Sequence, residues 1–421
     1  MPKLEITPLK KPVDAIIRMP GSKSYTNRAL IMAALTKGPV YLENPLYCDD
    51  TEAMIECLQI LGLKIEKNPD QIIVHSDISC IEDKTHQLFA HDSGTTVRFI
   101  LALLCIVPGV KTIEGSKRLN ERPIKDLVDS LRELGARIEY CNEEGKLPLK
   151  ISSSTLSGHL VHLKGDISSQ FCSALLLISP YISKGLTIHF ISPLISKPYI
   201  NMTLHCMKDS GIKVISHEDK SYFIPANQCY QKKQYIIEGD FSSAGYFFAI
   251  AVLTKSIVIL ENLNPSSAQA DRKFLDILAK MGNVINFEEN RVCIQGNQVL
   301  PINIDMEDCP DQVMTMAVLA AFAKGITKIS GVRSLRLKET ERVLALKNEL
   351  KKMRIHTEDT HDTLTIHGGF PYAAEINTYN DHRIAMSFAV AGTYLPGIAI
   401  HHPEVVNKTF PTFWKCLEEL K

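Results

Sequence analysis

The chain has 421 residues and balances 47 Lys plus Arg against 47 Asp plus Glu, so no global field draws it to nucleic acid or to an anionic membrane. Hydrophobic residues make up 45% and charged residues 22%, which excludes a disordered chain, and at roughly 150 residues per domain the length predicts two or three domains. Eleven Cys with no C-x-x-C pair and no Cys/His group at zinc spacing exclude a zinc finger; the odd count predicts reduced, mostly buried thiols in a cytosolic protein.

The first twenty residues lack an apolar signal core, and their acidic residues and prolines argue against a transit peptide. Within them, Leu4–Thr7 and Ala15–Arg18 read as strands. The first long apolar helix opens at Ser22 in SKSYTNRALIMAAL and stops at the Lys37-Gly38 turn. A strand at Val40–Leu42, an amphipathic helix over Thr51–Leu61 and paired strands at Leu63–Ile65 and Ile72–His75 follow. The same pattern recurs from Ser93 (SGTTVRFILALL), with a second helix over Pro123–Leu134, and from Ser168 (SSQFCSALLLI), with Leu186–Ile188 and a helix over Ile200–Ser210. It recurs again from Ser242 (SSAGYFFAIAVL), with Ile257–Ile259 and Arg272–Met281, and from Asp311 (DQVMTMAVLAAFA), with Thr340–Met353. The last opening is Asp381 in DHRIAMSFAVAG. The longest apolar run, Phe99–Val110, is too short to span a bilayer.

Six openings at intervals of roughly 70 residues describe one β-α-β-α-β-β unit written six times. GDISSQ at Gly165 and GDFSSA at Gly239 nearly match, while identity elsewhere is thin. The sixth unit ends early, and the strands it lacks are expected from Leu4–Thr7 and Ala15–Arg18. That makes one domain discontinuous: residues 20–237 form the first domain, and residues 1–19 with 238–421 form the second.

The first helix of each unit is apolar nearly all round, which predicts burial in a core. Its N-terminus, however, carries Ser, Thr, Asp, Gln, Lys or Arg beside amides that lack intrahelical partners. Ordinary N-capping is the bland reading, and clustered anion sites are the functional one. Gly21-Ser22-Lys23-Ser24 with Arg28 puts cations and hydroxyls at one entrance, but lacks the order of a nucleotide P-loop. Asn120-Glu121-Arg122-Pro123 puts an Arg before a helix that Pro can start. Ser168-Ser169-Gln170 offers three neutral hydrogen-bonding groups, and Lys338-Glu339-Thr340-Glu341-Arg342 mixes cations with carboxylates. Taken singly, these last two read as a cap and a solvated helix start, Asp381-His382-Arg383 as a surface ion pair, and Lys408 as a surface lysine.

As an ordered set, MPGSKSYTNRA, SGTTVR, LNERPI, GDISSQF, SKPYI, CPDQVMT, LRLKETER, YNDHR and NKTFP resemble the 5-enolpyruvylshikimate-3-phosphate synthase family from about Met19 to Pro411. The sister enolpyruvyl transferases acting on UDP-N-acetylglucosamine typically start Ser-Gly-Ala-Lys-Asn and carry a reactive Cys before their Arg-Pro. Here the start is Pro-Gly-Ser-Lys-Ser, and Lys111–Arg122 contains no Cys.

The resemblance implies a two-domain, inside-out α/β barrel-like fold, with three repeats per domain around buried parallel helices whose N-termini face a closing cleft. It implies transfer of the enolpyruvyl group of phosphoenolpyruvate to the 5-hydroxyl of shikimate 3-phosphate, on the shikimate pathway to chorismate. Shikimate 3-phosphate is expected on Lys23, Ser24, Arg28, Ser168, Ser169, Gln170, Ser196, Tyr199, Asp311, Ser334 and Lys338, mainly in the first domain. Phosphoenolpyruvate is expected on Lys23, Gly94, Arg122, Gln170, Arg342, Arg383 and Lys408. Asp311 as base, Glu339 as acid and Lys23 shared between proton transfer and phosphate complete the assignment. No metal or organic cofactor, no nucleic acid and no membrane is expected, and a cytoplasmic monomer is natural. Two positions depart from the family pattern: Asp92 stands in place of Asn, and Ser334 in place of a larger amide. Both bear on affinity and on sensitivity to glyphosate. A paralogue that binds anions without turnover is the alternative, and the intact Lys23, Asp311, Glu339, Arg342 and Arg383 weigh against it.

Overall fold

All six apolar runs fold as helices: Lys23–Ala34, Gly94–Leu104, Ser169–Ile178, Phe241–Thr254, Val313–Phe322 and His382–Gly392. In the last of these every residue is buried, and in Val313–Phe322 every residue except Phe322. A helix apolar on all sides has no face to give to water, so it is covered on all sides. The computed structural model describes residues 2–218 and 220–420. The chain divides into two units, Gly21–Ile237 and Met1–Pro20 with Glu238–Lys421. In each unit the three apolar helices pack on one another and sit in that unit's own hydrophobic core.

Sheets cover the helices. In Gly21–Ile237 there are three four-stranded sheets; the other unit has two of four strands and one of three, among the described residues. Burial alternates along strands such as Thr85–Phe89, so one face of each sheet lies on the core. In each four-stranded sheet the parallel pair lies at one edge, and the central pair is antiparallel. Parallel strands need a crossover, and in four of the six sheets an apolar helix supplies it. Thus Thr85–Phe89, helix Gly94–Leu104 and Val110–Glu114 form one such unit, and Asn303–Asp305, helix Val313–Phe322 and Gly325–Ser330 another. Antiparallel strands complete each sheet, as in Leu149–Ser152 with Arg137–Tyr140.

The N-terminal strands behave differently from expectation. Lys3–Glu5 does pair with Ala399–His401 in the sixth sheet, which holds only three strands. Asp14–Arg18 instead pairs in parallel with Ile257–Glu261, completing the fourth sheet. Its counterpart in the first sheet is Gln234–Ile236, parallel to Val40–Glu43. The unit Gly21–Ile237 is thus closed by its own last strand, and the other unit by a strand from its N-terminal segment.

The two crossings are built alike. A Cβ on Gly21 would stand 2.1 Å from the Asn44 carbonyl oxygen, and one on Gly239 2.2 Å from that of Asn262, so only Gly lets these backbones approach. Asn44 (φ 54°) and Asn262 (φ 65°) both adopt the left-handed conformation that Asn tolerates. Asn44 Nδ2 donates to Ile237 O at 2.7 Å, and Asn262 Nδ2 to Met19 O at 3.0 Å.

The second helices are Asp49–Ile60, Lys125–Glu133, Lys197–Asp209, Lys273–Lys280 and Arg342–Lys352. Three begin later than the sequence suggested, Lys273 by one residue and Lys125 and Arg342 by two. Pro123 lies outside any helix, between Lys117–Asn120 and Lys125–Glu133. Lys338 and Glu339 precede helix Arg342–Lys352, whose N-cap is Glu341. All eleven cysteines are free and seven are buried. No helix among the described residues is long and apolar enough to cross a membrane.

Candidate active site

The capping reading holds at four of the six apolar helices, where Ser93, Ser168, Asp240 and Asp381 accept from amides of their own first turns. Helix Lys23–Ala34 has no side-chain cap, and its first residue is a lysine. Lys23 Nζ donates to Asp50 Oδ2 at 2.9 Å, with Asp50 buried at the start of the next helix. The Asp50 carbonyl accepts from Thr96 Oγ1 at 3.0 Å, tying this pair to the entrance of helix Gly94–Leu104.

Arg28, one turn on from Ser24, is 3% exposed. Its Nε donates to Thr203 Oγ1 at 2.8 Å, Nη1 to Ser24 O at 2.9 Å and Nη2 to Tyr199 O at 3.0 Å. These acceptors are neutral, and burial pulls its pKa below the ordinary arginine value. A buried guanidinium oriented by neutral groups is prepared to meet an anion. Ser196, the N-cap of helix Lys197–Asp209, takes a left-handed backbone with φ 50° and is buried, and Tyr199 lies in the first turn.

A second cluster surrounds Gly94. Arg98 Nη1 donates to Gly94 O at 3.1 Å and to Gln170 Oε1 at 2.7 Å, and Nη2 donates to Pro123 O at 3.1 Å. Gln170 Nε2 donates to Thr95 Oγ1 at 3.2 Å. A Cβ on Gly94 would stand 2.8 Å from Arg122 Nη1, so this residue and Arg122 share one small space. Ser168 Oγ accepts from the Gln170 amide, and Ser169 is buried beside it. Asp92, two residues before Gly94, accepts from Ser116 Oγ.

In the unit containing Glu238–Lys421, Arg342 is the hub and is 1% exposed. Its Nε donates to Asp381 Oδ2 at 2.7 Å, Nη1 to Asp311 Oδ1 at 3.2 Å and Nη2 to Glu339 Oε2 at 2.9 Å. Arg383 Nη2 donates to the other oxygen of Asp311 at 2.8 Å, and Nη1 donates to Tyr246 Oη at 3.3 Å. Lys338 Nζ lies 4.0 Å from Asp311 Oδ1. The network sets Arg342, Arg383 and Lys338 against Asp311, Glu339 and Asp381.

Burial works against the Asp311 charge, but Arg383, Lys338 and Arg342 outweigh it and hold the carboxyl far below the usual range. Burial likewise opposes the Arg342 charge, and Asp381, Glu339 and Asp311 more than compensate. Asp381-His382-Arg383 is therefore no surface ion pair: the three are 0%, 1% and 5% exposed. Lys408, at the end of the turn Pro403–Lys408, is also buried rather than on the surface. Ser334 is half-buried in the turn Arg333–Leu337 and makes no side-chain hydrogen bond to this network among the described residues.

Residues 8–417 match the model of one family, described as EPSP synthase (3-phosphoshikimate 1-carboxyvinyltransferase). The chain belongs to the EPSP synthase family. A 3-phosphoshikimate 1-carboxyvinyltransferase of Nostoc punctiforme is 40% identical over 98% of this chain and 98% of its own. One of Syntrophobacter fumaroxidans is 38% identical over 97% of each. The fold is similar to a solved EPSP synthase of Acinetobacter baumannii, with a TM-score of 0.83 at 24% identity, covering 99% of this chain and 98% of that one.

Reading the EPSP synthase motifs alone left out several residues that build these clusters. Arg98 is the last letter of SGTTVR and sits four residues from Gly94, on the same helix face. Asp50 stood one residue before the expected start of its helix. Tyr246 carries the one phenol in helix Phe241–Thr254. Asp381 was visible as a cap but not as the buried partner of Arg342. Asp271 gave no signal: it is buried in the turn Ala270–Arg272 and accepts from Ser242 Oγ at 2.6 Å.

Proposed function

We propose that this EPSP synthase-family chain transfers the enolpyruvyl group of phosphoenolpyruvate to the 5-hydroxyl of shikimate 3-phosphate, releasing phosphate. The observation that carries the residue assignment is the network around Arg342, where two half-buried carboxylates, Asp311 and Glu339, bond to one guanidinium. Two carboxylates in one charged network are the equipment of proton transfer in two directions.

In this reading the 5-hydroxyl attacks C2 of phosphoenolpyruvate and gives its proton to Asp311, while Glu339 gives a proton to C3. The tetrahedral intermediate then returns a proton from C3 to Glu339, and the C2–O bond to phosphate breaks. Lys23 and Arg122 meet the departing phosphate charge, and Arg342 and Arg383 bind the phosphoenolpyruvate anion. Lys408, Gly94 and Gln170 complete that subsite. Arg28, Ser24 and Tyr199 hold shikimate 3-phosphate with Ser168, Ser169, Ser196, Ser334 and Lys338.

Asp311 is a weak base while three cations face it. When Arg342 and Arg383 turn to the substrate anion, that stabilisation falls and its proton affinity rises. Substrate binding thus prepares the base. All the residues named come from one chain, and we take the protein to carry out the transfer as a cytoplasmic monomer, with no metal or organic cofactor in the reaction.

The test is phosphate release with both substrates and with each omitted. Release only with both supports the assignment. Binding of both ligands without release marks a paralogue that has lost turnover, and failure to bind shikimate 3-phosphate overturns the substrate assignment.

A further inference from the structure

The exposed face of one sheet carries a group of side chains that the reaction does not use. His356 and Glu358 lie two residues apart on the edge strand His356–Asp359 and so point to the same side. His367, on Thr363–Gly368, is the direct cross-strand partner of His356. The donor atoms of all three lie within 4.8 Å of one another, the one such group of His, Cys, Asp or Glu among the described residues.

Both imidazoles converge on a single carboxylate oxygen. His356 Nε2 lies 3.2 Å and His367 Nε2 3.1 Å from Glu358 Oε1. Four ligands at roughly 2.0–2.1 Å around a tetrahedral zinc ion stand about 3.3 Å apart, so these separations already match tetrahedral edges. Elsewhere on the surface single histidines meet single carboxylates, as His75 does Glu66, His91 does Glu56 and His402 does Glu404. Such pairs are hydrogen bonds or weak ion pairs. Two imidazoles and a carboxylate on paired strands form a ligand set.

We propose that His356, Glu358 and His367 bind a zinc(II)-class ion, with water in the fourth position. Two imidazoles and one carboxylate oxygen suit zinc among the divalent metals, whereas calcium and magnesium want six or more oxygens. The strands fix the ligand positions before the metal arrives, so little ordering accompanies binding. The ion ties the edge strand to its neighbour across the sheet face. The site lies apart from the Arg342 network and supplies nothing to enolpyruvyl transfer.

The experiment uses the full chain, stripped with chelator and titrated with Zn²⁺ alone by calorimetry. Co²⁺ serves as a spectroscopic substitute. The expected result is one equivalent bound, tetrahedral cobalt absorption, and a rise in melting temperature. His356→Ala, His367→Ala and Glu358→Gln should each lose roughly a hundredfold in affinity, at or beyond what changes behind a ligand cost, with phosphate release unchanged. His356 and Glu358 are exposed and His367 is half-buried, so the substitutions remove little packing, and unchanged phosphate release checks folding. No saturable equivalent, or one that persists undiminished in the His356→Ala/His367→Ala double variant, overturns the proposal. Persistence would place the ion on other groups, such as the exposed thiols of Cys80, Cys141 and Cys229.

Discussion

Asp271 offers a test of the electrostatics with a definite sign. It is 4% exposed, and Asp311, Arg383 and Asp240 face it, with Ser242 donating to it. Burial, reinforced by Asp311, pushes its carboxyl from 3.8 up to about 6. The folded state therefore prefers the neutral acid. This preference adds stability below about pH 4, and it is lost as the pH rises through about 6. A shift of about two units corresponds to about 3 kcal/mol at most. Asp271→Asn has no charge to bury and keeps an acceptor for Ser242. Relative to the parent it should gain nothing near pH 4 and up to about 3 kcal/mol at pH 7 to 8. Trp414, the sole tryptophan, lies in the same unit, so urea unfolding followed by its fluorescence reports on that unit. A gain independent of pH, or a loss at pH 8, would refute the reasoning.

Three further outcomes follow from the clusters. Gly94→Ala places a methyl 2.7 Å from Arg98 Nη1 and 2.8 Å from Arg122 Nη1, so both guanidinium groups must shift. Steady-state kinetics should show KM for phosphoenolpyruvate raised about tenfold, the effect of about 1.4 kcal/mol, with melting temperature nearly unchanged. Glu339→Gln should lose most turnover while calorimetry still finds both substrates bound; near-normal turnover removes Glu339 from the acid role. Arg342→Met leaves Asp381, 0% exposed, without its guanidinium, which costs about 3–5 kcal/mol in denaturant unfolding. Adding Asp381→Asn should recover part of that loss and none of the activity.

What could be read from the sequence follows from the physics of each feature. The six apolar helices were legible because a helix with no polar face leaves an unbroken apolar run whatever surrounds it. The strands that follow three of them, Val40–Leu42, Leu186–Ile188 and Ile257–Ile259, were legible as short β-rich runs after a Gly or Ser turn; Thr85–Phe89, the parallel strand before helix Gly94–Leu104, was not read. Nor was strand partnership legible. Asp14–Arg18 precedes helix Lys23–Ala34 in the chain, yet pairs with Ile257–Glu261, because backbone hydrogen bonds carry no label for the partner. Helix Arg342–Lys352 starts late because the Glu341 side chain accepts from the Leu344 amide and so caps it, and before Lys125–Glu133 the Pro123 carbonyl accepts from Arg98. Buried Asp50, Asp271 and Asp381 were the hardest to see. A single sequence shows a carboxylate as polar, and only a fold reveals that a guanidinium or a serine has been placed against it.

Those carboxylates explain how so many cations can be buried at all. Removing an arginine from water is expensive unless a partner stands ready. At Arg342 three carboxylates meet that cost, and at Lys23 Asp50 does so. Asp381 has no exposure and holds Arg342 through Nε while also capping its own helix, which makes it the fixed partner. Asp311 and Glu339 remain partly accessible, with side chains 20% and 17% exposed, and they bond the two outer nitrogens. On the proposed assignment, an arriving anion displaces those two and leaves the first. The carboxylates released are the pair to which we assign the proton transfers. In that proposal, the ion pairs that let the cations be buried without substrate are the ones whose exchange frees the acid and the base.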